Sequence, residues 1–319
     1  ARTTTDTAGG AVACTVAMSL VGASIAIAPA LAGYPVLAGQ AWRYLLAGVI
    51  LLGVLVARPA PGTRLATGVA RRTREALRAL TRISTANALR VLAIAITGLA
   101  LFNWLLIEGT RHADPAFLAA IVGATPLVLA LVGPVAAGRP IAPRTVLGGA
   151  VVAVGIVLVH GATAAPLVAL PYGLAFLACE VAFTLLAVPV LFELTPVQLS
   201  AAACLVATPL LAVVSVASSE AVLQVPTLVE AAALLYMAVF TTAVAFLLWY
   251  GGVARLGADR AGLFVGVMPV AGYLTGLTLG SSAWALTALV GVGLCGAGVV
   301  LGLAPPTARP VPSPRGGEA

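Results

Sequence analysis

The sequence predicts an all-α membrane protein: ten transmembrane helices forming two inverted five-helix repeats around a central cavity. Three observations carry that expectation. The chain is 61% hydrophobic and only 8% charged, against about 25% charged residues in a soluble domain, so a water-soluble globule could not cover itself. The apolar stretches are apolar at every position; about 20 such residues make a helix that crosses the hydrocarbon core, whereas a membrane barrel needs alternation of apolar and polar residues. The third observation is internal repetition. Gly148-Gly149-Ala150-Val151-Val152-Ala153-Val154-Gly155 through Leu158 aligns with Gly291-Val292-Gly293-Leu294-Cys295-Gly296-Ala297-Gly298 through Leu301 at an offset of 143 residues, and Pro126 and Pro269 share that offset. Pro35-Val36 matches Pro196-Val197 at an offset of 161. A longer connection in the first half accounts for the difference. Duplicated membrane halves are the usual build of secondary transporters.

Taken in order, residues 1–9 form a tail and 10–160 a first repeat, with expected spans near 10–31, 36–57, 88–108, 115–137 and 144–160. Residues 161–303 form the second repeat, with spans near 168–190, 196–217, 228–251, 259–280 and 283–303. The first apolar run is too long for a signal peptide's core and lacks a clear cleavage site, so it reads as a retained span. The tail 304–319 holds Pro305, Pro306, Pro310, Pro312 and Pro314 and cannot be helical.

The connection 58–87 carries Arg58, Arg64, Arg71, Arg72, Arg74, Arg78 and Arg82. The positive-inside rule makes it cytoplasmic, and alternation then puts both termini inside. Arg139, Arg144, Arg255 and Arg260 fall on the same side, leaving Arg43 and Arg111 outside. Five spans per repeat is odd, so the halves insert with opposite orientation. Leu77, Leu80 and Ile83 among the arginines allow a short amphipathic surface helix; a solvated tether is the plain alternative. All 17 basic residues are Arg, and their clustering serves topology, so no nucleic-acid partner is expected. Cys14, Cys179, Cys204 and Cys295 lie far apart in apolar runs, which fits small buried residues and neither a disulfide framework nor a metal site.

Polar residues at mid-membrane depth are the sharpest chemical signal. Glu180 is the one acid near the middle of an expected span. A carboxylate there costs about 2.5–3.5 kcal/mol on insertion scales, so it faces a cavity or a partner. The functional reading is a site for a substrate amine or a proton; the plain reading is a carboxyl that fixes packing. Asn103 and Trp104 lie past the middle of the third span. The amide can donate and accept in a polar cavity and the indole offers a broad face. A helix–helix hydrogen bond and packing are the plain readings. Trp249 and Tyr250 read as an aromatic belt near the inner face. Glu108, Arg111 and Asp114, with His112, form an outer cluster that gates the cavity or is solvated loop; Arg43 snorkels to headgroups or pairs with Glu108 or Glu230. Pro126 and Pro269 predict paired kinks facing the cavity, because each removes a backbone donor and frees a carbonyl. No catalytic triad, paired carboxylates or metal-ligand spacing is present, so an enzyme, a cofactor and a metal are not expected.

The ordered set Pro35 to Ala41-Trp42-Arg43-Tyr44-Leu45-Leu46, Pro115-Ala116 to Pro126, Ala258-Asp259-Arg260-Ala261 to Pro269, and the two Gly-x6-Gly helices resembles the drug/metabolite transporter superfamily, in its EamA-type permease branch. The resemblance covers about 10–303. It implies a central cavity lined mainly by spans 1, 3, 4, 6, 8 and 9. The chain departs from the family pattern at Gly138-Arg139 and Gly280-Ser281, where the family often has Gly-Glu, and at Glu180, where it often has Trp. The expected function is an inner-membrane secondary transporter that exports a small polar or amphipathic metabolite, such as an amino acid or a drug-like compound, by alternating access. Proton coupling and oligomeric state stay open. A flippase-like carrier of lipid or nucleotide-sugar conjugates and a non-transporting scaffold or sensor are the alternatives.

Overall fold

The computed structural model describes residues 4–24, 27–57, 69–112, 115–161, 167–280 and 282–304. Among them there is no strand, and ten helices are long and apolar enough to cross a membrane. In order these first to tenth spans are Asp6–Ala23, Val36–Ala57, Thr85–Leu105, Phe117–Ala136, Pro143–His160, Leu167–Val190, Pro196–Ala217, Leu228–Leu256, Ala258–Thr278 and Leu286–Leu303. Five fall in each repeat, so the repeats are inverted. The expected tails at 304–319 and the loop segment 58–68 lie outside the described residues, apart from Ala304.

Local chemistry sets the ends. Ser84 caps the third span by accepting from the Asn87 amide, and the seventh and eighth spans open with capping boxes, Thr195 with Gln198 and Thr227 with Glu230. The first helix begins at Thr4 and stops at Ala23, short of the expected end. A 3-10 turn, Ala28–Leu31, follows, with Pro29 at its start; proline there cannot supply the amide that a longer α-helix would need. Gly161 and Gly257, at φ 82° and 87°, end the fifth and eighth spans in a conformation closed to other residues.

The Arg-rich connection contains a helix, Val69–Thr81. It buries Ala76, packs Leu80 and, beyond its end, Ile83 against the core beside the second and seventh spans, and leaves Arg71, Arg74 and Arg78 exposed. This helix marks one end of the bundle, the arginine face.

Two seams hold the bundle together. The second span packs along the seventh, and the fifth along the tenth. In the latter the repeat glycines meet: a Cβ on Gly148 would come within 2.6 Å of the Gly298 carbonyl oxygen, and one on Gly291 within 2.6 Å of the Gly155 oxygen. Only glycine lets backbones approach this closely.

Four other spans are broken, in matching places. The third and eighth each contain a π-helical segment, Ala95–Leu101 and Met237–Val244. The fourth breaks at Gly123-Ala124 just before Pro126; the ninth passes through a 3-10 segment, Gly262–Gly266, just before Pro269. The π segments and the two prolines stand at the repeat offset to within one residue.

The glycine seam yields a stability test. Gly155→Leu should lower the midpoint of thermal unfolding in detergent, since overpacking costs about 1–3 kcal/mol. Gly293→Ala, on the tenth span with no atom within 4 Å of its would-be Cβ, should leave it unchanged. Equal midpoints for wild type and Gly155→Leu would remove the seam from the account.

Candidate functional site

The sixth span buries Gly173, Phe176, Cys179, Phe183, Thr184, Ala187 and Val190. At 3.6 residues per turn, these occupy one sector, and Pro171, Leu174 and Ala178 are exposed on the other. Glu180 falls inside the buried sector, between Phe176, Phe183, Thr184 and Ala187, and nearly opposite Ala178. It nevertheless keeps part of its surface accessible. It stands on the side of the sixth span that packs against the rest of the bundle. Among the described residues the Glu180 carboxyl has neither a hydrogen bond nor an ion pair.

Aromatic rings continue from this point. Phe183 lies 5.4 Å from Tyr250 and 5.5 Å from Phe246, ring centre to ring centre. Phe246 lies 6.1 Å from Tyr250 and 6.5 Å from Tyr44. Among the described residues Tyr250 Oη, Thr184 Oγ1 and Trp249 Nε1 are buried without a hydrogen-bond partner. Buried polar atoms are rarely left in this state, and Thr184 stands one helical turn from the unpaired acid on the sixth span.

Adjacent residues of the second span reach both π-helical segments. Arg43 Nε donates to Thr242 Oγ1 at 2.6 Å and Nη1 to Gln40 Oε1 at 3.1 Å. The Thr242 hydroxyl in turn donates to the Met237 carbonyl, five residues back in the π segment. Tyr44 Oη accepts from Asn103 Nδ2 at 3.1 Å, and the same amide donates to the Leu99 carbonyl in the other π segment. Phe183 fills the notch at Gly98, where a Cβ would overlap its ring. Single π turns often sit at functional sites, and here both border the aromatic cluster.

The expected site residues separate on this frame. Asn103 joins the aromatic cluster through Tyr44, and Glu180 stands three residues before Phe183 on the sixth span. Trp104 does not join them: one residue on from buried Asn103 is a turn of about 100° around the helix, and Trp104 is 39% exposed on the side of Leu101. Trp249 and Tyr250 are 2% and 0% exposed, so the pair is interior and not an aromatic belt. Glu108 pairs with Arg111 at 3.1 Å and approaches His112 at 3.5 Å, and His112 stacks on Tyr172. Arg43 stands apart from that cluster, its guanidinium turned inward to Thr242; Asp114 lies outside the described residues. Pro126 and Pro269 are both buried. The Val122 carbonyl freed by Pro126 accepts from Thr125 Oγ1 at 2.6 Å, and the Pro126 carbonyl abuts Gly149 of the fifth span. That break is satisfied within the protein and offers no free carbonyl to a cavity.

Polar bonds join the repeats at both ends. On the arginine face, Glu193 accepts from the Ser84 amide at 2.9 Å and its hydroxyl at 2.8 Å, and Arg139 pairs with Asp259 at 2.8 Å. On the opposite face, Glu220 accepts from the Ala38 amide at 2.9 Å and the Leu37 amide at 3.3 Å, a carboxylate at the positive end of the second span. Trp42 Nε1 donates to the Val222 carbonyl and Tyr34 Oη to that of Gln224. Arg139, one departure from the family pattern, thus has a partner in the other repeat.

The comparisons with known proteins agree with one another. The EamA-like transporter family matches residues 7–161 and again 160–303. The uncharacterized transporter YetK of Bacillus subtilis (strain 168) is 25% identical over 276 residues, covering 82% of this chain and 77% of its own. A solved crystal structure of a protein chain superposes with a TM-score of 0.77 at 19% identity, over 95% of this chain and 97% of that one, a likeness of fold.

The arginine-face bridge gives a pH dependence. The hydrogen bonds from Ser84 hold the Glu193 carboxyl below its ordinary value. A depressed carboxyl stabilises the fold above its unfolded value, near 4.3, and the contribution disappears as pH falls through the folded value. Wild-type protein should therefore lose stability below about pH 4 more steeply than Glu193→Gln. Parallel acid-melting curves would refute the bridge.

Proposed function

Because the chain belongs to the EamA-like transporter family and is a multi-pass membrane transporter of that type, we propose that it is an inner-membrane secondary transporter exporting a small polar or amphipathic metabolite by alternating access. The observation that carries this reading is Glu180: an unpaired acid on the buried sector of the sixth span, with part of its surface accessible. A group so costly at that depth is retained for a ligand or a proton. Rocking is supported by the few polar bonds that join the repeats at each end, with the second–seventh and fifth–tenth seams, which also join the repeats, as its pivot. Such polar bonds can break and reform at either face as access alternates. The sequence carries no nucleotide-binding motif, so the work is assigned to an ion or substrate gradient, with Glu180 as the proton-coupling group. The clustering of arginine between the second and third spans supports a cytoplasmic arginine face and cytoplasmic termini.

Purified protein in liposomes should move at least one amino acid or amphipathic amine faster than protein-free vesicles, and an imposed pH gradient should increase that flux. Glu180→Gln should keep the fold and lose the gradient-driven part. Absence of flux for a broad metabolite panel from correctly folded protein would overturn the reading. Orientation has its own test. Single cysteines replacing Arg78 and Leu223, on a cysteine-free background, should label from opposite sides in intact cells, with position 78 inaccessible from outside. Outer labelling at 78 would reverse the topology.

A further inference from the structure

We propose that the helix Val69–Thr81 is a docking surface for anionic phospholipid, with Arg74 and Arg78 holding lipid phosphates and Leu77 resting against the acyl chains. The surface lies on the arginine face, apart from the aromatic cluster, and the inference does not depend on what the protein carries.

The distribution of side chains around the helix carries the proposal. At about 100° per residue, Ala76 and Leu80 fall within about 40° of each other; Ala76 is buried and Leu80 packs against the core. Arg71, Arg74 and Arg78 gather within about 60° on the opposite side, and all three are exposed. The two edges between these faces differ. One carries Leu77, an exposed apolar side chain next to Arg74. The other carries Glu75, which pairs with Arg71 at 2.9 Å. An apolar edge flanked by cations, with the acid on the far edge, suits a helix lying along a headgroup layer with its Leu77 edge toward the chains.

The chain also sets the height of this helix. Only Arg82, Ile83 and Ser84 separate Thr81 from Thr85, where the third span begins. Four residue steps reach at most about 14 Å. The connection is drawn in further, because Ile83 packs on the core and Ser84 donates to Glu193 beyond the end of the sixth span. The last turn, with Leu77 and Arg78, is thereby tethered beside the headgroups.

Charge complementarity names the occupant. Among the described residues no acid pairs with Arg74, Arg78 or Arg82: Glu75 is taken by Arg71, and Glu193 is held by Ser84. The guanidinium fork matches two phosphate oxygens at once, and each cation at an anionic lipid surface strengthens attraction about fivefold. A soluble acidic partner would satisfy the arginines but leave Leu77 in water.

Native mass spectrometry of the full-length protein in detergent, titrated with dioleoyl phosphatidylglycerol or dioleoyl phosphatidylcholine, reads the affinity for the first bound lipid. Wild type should bind the anionic lipid about fivefold or more tightly. Arg74→Gln combined with Arg78→Gln should remove most of that preference at an unchanged melting midpoint. Arg74→Lys combined with Arg78→Lys should keep it, and Arg71→Gln should lower it less than the double glutamine variant. Glycerophosphoglycerol, the same headgroup without chains, should bind far more weakly than the lipid. In bilayers, a bimane fluorophore on Leu77→Cys should be quenched by chain-brominated lipid more strongly than one on Glu75→Cys. Equal affinity for the two lipids, full preference in the double glutamine variant, loss of preference in the double lysine variant, glycerophosphoglycerol binding as tight as the lipid's, or equal quenching at 77 and 75 would each overturn the proposal.

Discussion

In a bilayer every polar group must find its partner inside the protein, and that single constraint organises this structure. Lipid cannot hydrogen-bond a backbone carbonyl, so each span must be helical and each departure from a regular helix must be repaired from within. The repairs are visible. Thr125 takes the carbonyl that Pro126 frees, Asn103 takes that of Leu99, and Thr242 takes that of Met237. Arg43 and Tyr44, neighbours on the second span, then bind Thr242 and Asn103. One turn of the second span thereby fixes both π-helical segments, one in each repeat, on either side of the aromatic cluster. Among the described residues the groups that stay unrepaired, Glu180, Thr184, Trp249 and Tyr250, are on the sixth and eighth spans.

The scaffold around that cluster divides into stiff and yielding parts. Backbone-to-backbone approach at Gly148, Gly155, Gly291 and Gly298 binds the fifth and tenth spans along their length. The bonds across the ends are different in kind: a carboxylate on amides at Glu220 and Glu193, and a single ion pair at Arg139–Asp259. Such bonds exchange with water at modest cost. Close glycine seams with polar bonds at both ends follow from the duplicated sequence, since the glycine contacts recur at the repeat offset.

Much of this was legible in the sequence, and the failures share one cause. Hydropathy gave the spans, the recurring Gly-x6-Gly and Pro positions gave the repeat, and depth singled out Glu180 and Asn103. Helix rotation was not legible. A soluble helix reveals its buried face by an apolar stripe, but these spans are apolar all round. Nothing in the local pattern therefore said that Asn103 faces inward while Trp104 faces out, or that Tyr250 belongs to the interior. The π-helical segments lacked a signature for a related reason: Ala95–Leu101 and Met237–Val244 contain no residue that demands a slipped ladder, and the side chains that support it come from the second span. Arg43 was misdirected toward the outer acids because its depth was judged from its own span. Its guanidinium reaches the middle of the eighth.

The central claim is that Glu180 opens onto an aqueous interior site and not onto lipid. Glu180→Cys and Ala178→Cys, each on a cysteine-free background in membranes, measure this through the rate of modification by a small, charged, membrane-impermeant thiosulfonate. The account predicts rapid modification at 180, slowed by a bound ligand, and none at 178, which faces the opposite side of the same helix. Modification at 178 with none at 180 would place the acid against lipid and contradict it.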